Sequence, residues 1–159
     1  MLLGIPFSWS LFFIDVLVYA AVQTLRIGTD MLLPRCWINP DSSYYKSRRW
    51  EQDGAVYQKY LNIRRWKDKL PAVNSLNHFS KKSLKGASPE YLRQFIVETC
   101  RGESHHVRSI IETLLFIIWN PPLLFGVIFI LSCMGHIPFI IIQRYNRPRL
   151  RKMLARLEA

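Results

Sequence analysis

Cysteine is scarce in this 159-residue chain: Cys36, Cys100 and Cys133 stand far apart and form no CxxC pair. That excludes a disulfide-dense scaffold and offers no zinc-site spacing. There is no HExxH, no GxSxG elbow, no GxGxxG and no Walker loop, so the chemistries those motifs carry have no foothold here. Acidic residues are few, 11 Asp and Glu against 22 Lys and Arg, for a net charge of +11. The length fits one domain at most. Half of the residues are hydrophobic, too many for a disordered tail, while the charge is too basic for an average globular domain. Soluble nucleic-acid binding is the first expectation such a charge raises. The placement of the apolar residues argues against it.

They gather at the two ends of the chain. Residues 5–25 contain one formal charge, Asp15, and are long enough for a spanning helix of ~20 residues. Residues 110–142 contain only Glu112, and Pro121 and Pro122 divide that run. Its second part, residues 123–143, is a full span. Its first part, residues 107–120, is short for a crossing unless it tilts or starts at the interface. Between the ends, residues 35–108 carry fifteen Lys or Arg and seven acids, and the tail from Arg144 carries six and one. The positive-inside rule places both regions in the cytoplasm, so an even number of crossings separates them. A hairpin turning at Asn120-Pro121-Pro122 meets that demand, as does a re-entrant half-helix with a non-spanning partner. We favour the hairpin, with the N-terminus outside and the C-terminus cytoplasmic. The rival for the N-terminus is a cleaved signal peptide ending near Ala20-Ala21. No Lys or Arg precedes the apolar run and Asp15 sits inside it, which speaks against cleavage.

In residues 47–71, Trp50, Val56, Tyr57, Tyr60, Leu61, Ile63 and Trp66 alternate with Arg and Lys at near-helical spacing. A helix lying on a membrane surface has this composition, with basic groups reaching lipid phosphates; so does an amphipathic helix packed on its own domain. Residues 74–90 hold Gly86, Pro89 and four serines and predict a loop. Ser88-Pro89-Glu90 then predicts a helix start, Ser88 as N-cap and Pro89 in the first turn. That helix runs toward the membrane. Tyr145 reads as a headgroup-level anchor, and Pro148 as the start of a tail helix.

The helix from Pro89 sets its polar residues just before its apolar half. At 100° per residue, Glu98, Gly102, His106, Thr99 and Glu103 share an arc of about 140°. Arg101 and His105 lie on the adjacent face. Glu103 and His106, at i,i+3, are close enough to meet. A carboxylate-held imidazole is the usual device for taking a proton from a hydroxyl. A salt-bridged polar patch on a helix leaving the membrane explains the same residues. His78 and His136 stand apart, His136 as a packed or carbonyl-bonded residue of the last span. No His stands five residues before an Asp, the spacing of glycerolipid acyltransferases.

Three stretches together resemble one family, the glycosyl-4,4'-diaponeurosporenoate acyltransferases, small bacterial membrane proteins of carotenoid glycolipid synthesis. The first is IIIQRYNRPRLRKMLARL, residues 140–157. The second is ETCRGESHH, similar to the family's E-T-x-R-x-E-x-x-H at Glu98, Thr99, Arg101, Glu103 and His106. The third is WEQDGAVYQKYLNIRRWKDKLP, with Glu51, Gly54, Arg64, Trp66, Lys67 and Lys69. The resemblance spans residues 50–157, about two-thirds of the chain. Val107 stands where the family has an aromatic residue, and His105 is an added imidazole. The first forty residues and residues 74–85 match in character only, where acceptor choice would be set.

The resemblance implies transfer of a fatty acyl group onto a sugar hydroxyl of a glycosylated carotenoid acid or related glycolipid, at the cytoplasmic face. By the chemistry of the residues themselves, His106 would act as general base on that hydroxyl, oriented by Glu103 or Glu98. Arg101, Arg144 or Arg147 would hold a phosphate, a thioester oxygen or the developing oxyanion, and Thr99, Arg64, Lys67 and Asn146 would complete the binding groups. The donor is acyl-CoA, acyl-carrier protein or phospholipid; no metal or cofactor is implied. The expected fold is an all-α membrane protein with about three membrane-inserted helices, one N-terminal and a Pro-broken C-terminal hairpin, plus a basic interfacial helical region. Its single domain divides into a first span (5–25), the basic region (35–108), the hairpin (107–143) and a basic tail (144–159). Its partners are the bilayer, anionic lipid headgroups, the glycolipid acceptor and the acyl donor, with no nucleic acid. The alternative is a non-catalytic membrane subunit that binds anionic lipid or scaffolds a complex.

Overall fold

A computed structural model describes residues 8–32, 37–70 and 88–159. Residues 74–87 of the loop expected at 74–90, His78, Cys36 and the start of the first span lie outside the described residues. Among the described residues all regular structure is helical: α1 (Trp9–Leu32), α2 (Ala55–Leu61), α3 (Pro89–Thr113) and α4 (Pro122–Glu158), with short 3-10 turns between them. α1 and α4 are both long and apolar enough to cross a membrane. Two compact units share the chain, Met1–Trp37 with Ser104–Phe139, and Ile38–Glu103 with Ile140–Ala159.

In the first unit, Ser8 starts α1, its Oγ and carbonyl accepting the N–H groups of Leu11 and Phe12. The end of α3 tightens into a 3-10 turn, Leu114–Ile118. The Asn120 side chain donates to the Phe116 carbonyl at 3.0 Å. Pro121 and Pro122, which lack N–H groups, then let the chain reverse into α4. The two helices run antiparallel, as Thr113–Ser132 and His106–His136 contacts show. Phe116, Leu124 and Ile128 form the apolar core, flanked by Leu11, Phe12, Tyr19 and Phe125. The surface pattern is inverted: Asp15, Ser109, Thr113, Asn120 and Ser132 are buried, whereas Leu17, Ile118, Leu123 and Met134 are exposed.

The second unit has two small cores. One is Tyr57, Ile63, Ile142 and Tyr145; the other is Leu92, Phe95, Ile96 and Leu150. Ser88 Oγ accepts the Tyr91 N–H at 3.2 Å where α3 begins, the cap its sequence predicts. The basic-aromatic stretch differs from one long surface helix. Gln52, Asp53 and Gly54 are left-handed, and Asn62 is again left-handed, so only the seven residues of α2 are α-helical there. Tyr57 and Ile63 turn inward while Trp50, Tyr60 and Leu61 stay exposed. Pro148 starts no new helix, because α4 continues through it. A proline removes one helix hydrogen bond, and here Arg144, Arg147 and Arg151 on either side are all tied to neighbouring segments.

Candidate functional site

In the second unit, two carboxylates and two guanidiniums interlock. Arg144 grips Glu51 with a two-pronged contact, Nε to Oε1 at 2.5 Å and Nη2 to Oε2 at 2.8 Å. Its Nη1 reaches Glu103 Oε1 at 2.6 Å, and the Tyr44 and Lys46 carbonyls take its remaining protons. Glu103 Oε2 accepts from Arg147 Nη2 at 2.6 Å. Arg147 also donates to the Thr99 hydroxyl and carbonyl, both at 3.1 Å, and to the Tyr45 carbonyl at 2.9 Å. Glu51, Glu103 and Arg147 are at most 2% exposed, so the charges balance inside the unit rather than facing solvent.

The backbone makes this possible. The left-handed run Gln52-Asp53-Gly54 turns the chain directly after Glu51. Gly54 is required twice: its φ is +86°, and a Cβ there would lie 3.2 Å from Tyr145 Cα. Burial raises the Glu51 pKa, but the Arg144 guanidinium, the Arg48 N–H and the Tyr57 hydroxyl outweigh it and hold it at about 2. Burial, then the Glu51 carboxylate, push the Tyr57 hydroxyl well above its ordinary value, so it stays a donor to Glu51 at 2.5 Å.

The remaining residues singled out in this unit sit differently. Glu98 pairs with Arg101 at 3.4 Å on α3. Arg64 Nε donates to the Tyr145 hydroxyl at 3.1 Å. Lys67 pairs with its neighbour Asp68 at 2.6 Å, and Asn146 is half-buried on α4. Gly102, on the same arc, is covered by Gln143, whose Nε2 lies 3.0 Å from where a Cβ would be.

His106 belongs to the first unit. Its Nδ1 lies 2.9 Å from His136 Nδ1, and its ring stacks on Phe139 at 4.8 Å. His136, expected to stand apart, is thus its partner; its Nε2 in turn meets the Tyr19 hydroxyl at 2.5 Å. Glu103, offered to His106 by helical spacing, has both oxygens engaged by arginines. Among the described residues no group of three His, Cys, Asp or Glu side chains converges as a metal site would require.

Sequence reasoning missed Glu51 as a charge partner and missed an entire face of α1. Asp15, Tyr19, Gln23 and Arg26 fall within an arc of about 80°. Each is bonded inside the unit: Asp15 to Trp119, Tyr19 to His136, Gln23 to Ser109 and Arg26 to Glu112. That polar stripe in an apolar helix was the available signal.

Fold and interior together define a small all-α protein with, among its described residues, two helices apolar and long enough to cross a membrane and with polar side chains buried between helices. The particular kind follows from comparison: the sequence profile of the glycosyl-4,4'-diaponeurosporenoate acyltransferases matches residues 41–156, and the chain belongs to that family. It is 29% identical over 151 residues to the glycosyl-4,4'-diaponeurosporenoate acyltransferase of Staphylococcus haemolyticus (strain JCSC1435), across 89% of this chain and 85% of the relative. It is 31% identical over 131 residues to the protein of that name from Staphylococcus aureus (strain bovine RF122 / ET3-1), across 81% of this chain and 78% of the relative. No solved structure matches it. The chain is an acyltransferase.

Proposed function

We propose that this acyltransferase is membrane-bound and moves a fatty acyl chain onto a sugar hydroxyl of a glycosylated carotenoid acid or related glycolipid. Acyl-CoA, acyl-carrier protein or a phospholipid is the donor. The observation that carries this reading is the family match across residues 41–156. Support for membrane insertion comes from the first unit, which buries hydroxyls and a carboxylate and exposes Leu17, Leu123 and Met134; polar groups inside a bundle and apolar groups outside suit lipid as the solvent. We place α1 and the two arms around Asn120–Pro122 in the membrane as three inserted helices of one membrane domain. The N-terminus is outside and the basic tail cytoplasmic.

His106 is the general base on the acceptor hydroxyl in this reading. In the other unit, exposed Arg64 and half-buried Lys67, Arg101 and Asn146 meet the anionic headgroup of the donor or of neighbouring lipids. Arg144 and Arg147 hold Glu51 and Glu103 in place, Thr99 anchors Arg147, and Glu98 holds Arg101. These carboxylates act as positioning groups.

Lipid mass spectrometry on membranes of a host that makes glycosyl-4,4'-diaponeurosporenoate tests the reading, with wild type, His106→Gln or no protein expressed. A species heavier by one acyl chain, formed with wild type and lost in His106→Gln, is expected. An unchanged product from the variant would remove His106 from the base role. No acylated lipid from folded, membrane-inserted wild type would favour the non-catalytic subunit.

A further inference from the structure

Within the first unit Thr113, Ser132, Tyr19, His136 and His106 form one continuous hydrogen-bonded chain, and that chain has a direction. At its far end Thr113 Oγ1 donates to the Ser109 carbonyl at 2.9 Å, an atom that only accepts. With its single proton so engaged, Thr113 accepts at its 2.8 Å contact from Ser132 Oγ. Ser132 then accepts from the Tyr19 hydroxyl at 3.2 Å, and Tyr19 accepts from His136 Nε2 at 2.5 Å. A neutral imidazole carries one N–H, so His136 Nδ1 holds the lone pair and accepts from His106 Nδ1 at 2.9 Å. Nε2 of His106 is left without a proton.

We propose that Tyr19, Ser132, Thr113 and His136 are positioning residues that fix neutral His106 as its Nδ1–H tautomer, making Nε2 the basic nitrogen. The inference rests on the reading of His106 as the base. As the acceptor hydroxyl oxygen bonds to the acyl carbon, its proton passes to Nε2. The bond from that carbon to the donor's sulfur or oxygen breaks, and the same proton is returned to the leaving atom. Throughout, Nδ1–H keeps donating to His136, so the relay needs no rearrangement during the step. Phe139, stacked on the His106 ring at 17° between planes, and His105, edge-on at 5.2 Å, restrict the ring's orientation. A tyrosine on α1, 117 residues from His136, is thereby tied to the base.

Nitrogen-15 NMR of the full-length protein in lipid nanodiscs, labelled at its histidine rings, reads the tautomer directly and needs no substrate. Wild type should show His106 protonated at Nδ1 and bare at Nε2. A proton found on Nε2 overturns the relay whatever the activity. Tyr19→Phe removes the acceptor for His136 Nε2–H and should turn the single His106 tautomer into a mixture. Product formation in the host membranes should fall about 10- to 100-fold, the range for losing an orienting partner of a functional imidazole. A Tyr19→Phe protein with wild-type tautomer and wild-type product also overturns it. If Tyr19→Phe fails to fold, the wild-type spectrum decides alone. Full activity of His106→Gln would sink the base reading instead, and the Nδ1–H spectrum would still establish the relay.

Discussion

Glu51 shows how one residue can carry a unit. Its pKa, held at about 2 against an ordinary 4.5, lies below its unfolded value. Its stabilisation is therefore fully present above about pH 4.5 and is lost as pH falls toward 2. The difference in unfolding temperature between wild type and Glu51→Gln in detergent should be largest near neutral pH and shrink through that window; a constant difference would contradict the ion pair. Glu103→Ala leaves the buried Arg147 guanidinium and the half-buried Arg144 guanidinium short of a partner and should cost about 3–5 kcal/mol, measured by the same unfolding assay. The glycines separate cleanly. Gly54→Ala meets both a left-handed backbone and the Tyr145 backbone and should destabilise by about 1–3 kcal/mol. Gly102→Ala only pushes the movable end of Gln143 and gains helix propensity of roughly 0.5–1 kcal/mol, so it should be near neutral.

At the scale of elements, local signals were legible and long-range pairings were not. Ser88 and Pro89 mark the start of α3, and Asn120-Pro121-Pro122 marks the break before α4, because caps and prolines act on their own few residues. Thr99, Glu103, Arg144 and Arg147 stood out in their motifs, yet their pairing closes over 41 to 48 residues and leaves no periodic trace. Glu51 matched the family pattern without revealing that it faces Arg144. His136 looked isolated because its partners come from two other helices. The short α2 went unseen because left-handed Gln52, Asp53 and Asn62 are not residues whose type demands that conformation. The outer face of α1 yields a direct test. Leu17 is 70% exposed, and Leu17→Arg at a lipid-facing mid-helix position should cost about 2.5–3.5 kcal/mol of insertion. Alkaline extraction of membranes should then release more of the variant than of wild type. Equal retention would argue that this face does not meet lipid.

For the whole molecule, charge asymmetry makes orientation testable on the native chain. Fifteen Lys or Arg lie in residues 35–108 and six in the tail from Arg144, with two acids and one base before residue 35 and a single acid between residues 109 and 143. If both basic regions face the cytoplasm, trypsin added to inverted vesicles should cut both, and trypsin added to intact spheroplasts should cut neither. Exposed Arg64 and Arg65 give the protease ready sites in the middle region. Cleavage of both regions from the outside would reverse the orientation while keeping an even number of crossings between them. Cleavage of the middle region from one side and the tail from the other would require an odd number. That result would remove the paired arms around Asn120–Pro122 from the membrane and sink the three-helix arrangement. The basic side chains would then face lipid headgroups on two sides, where the positive-inside preference gives no reason for both to be basic.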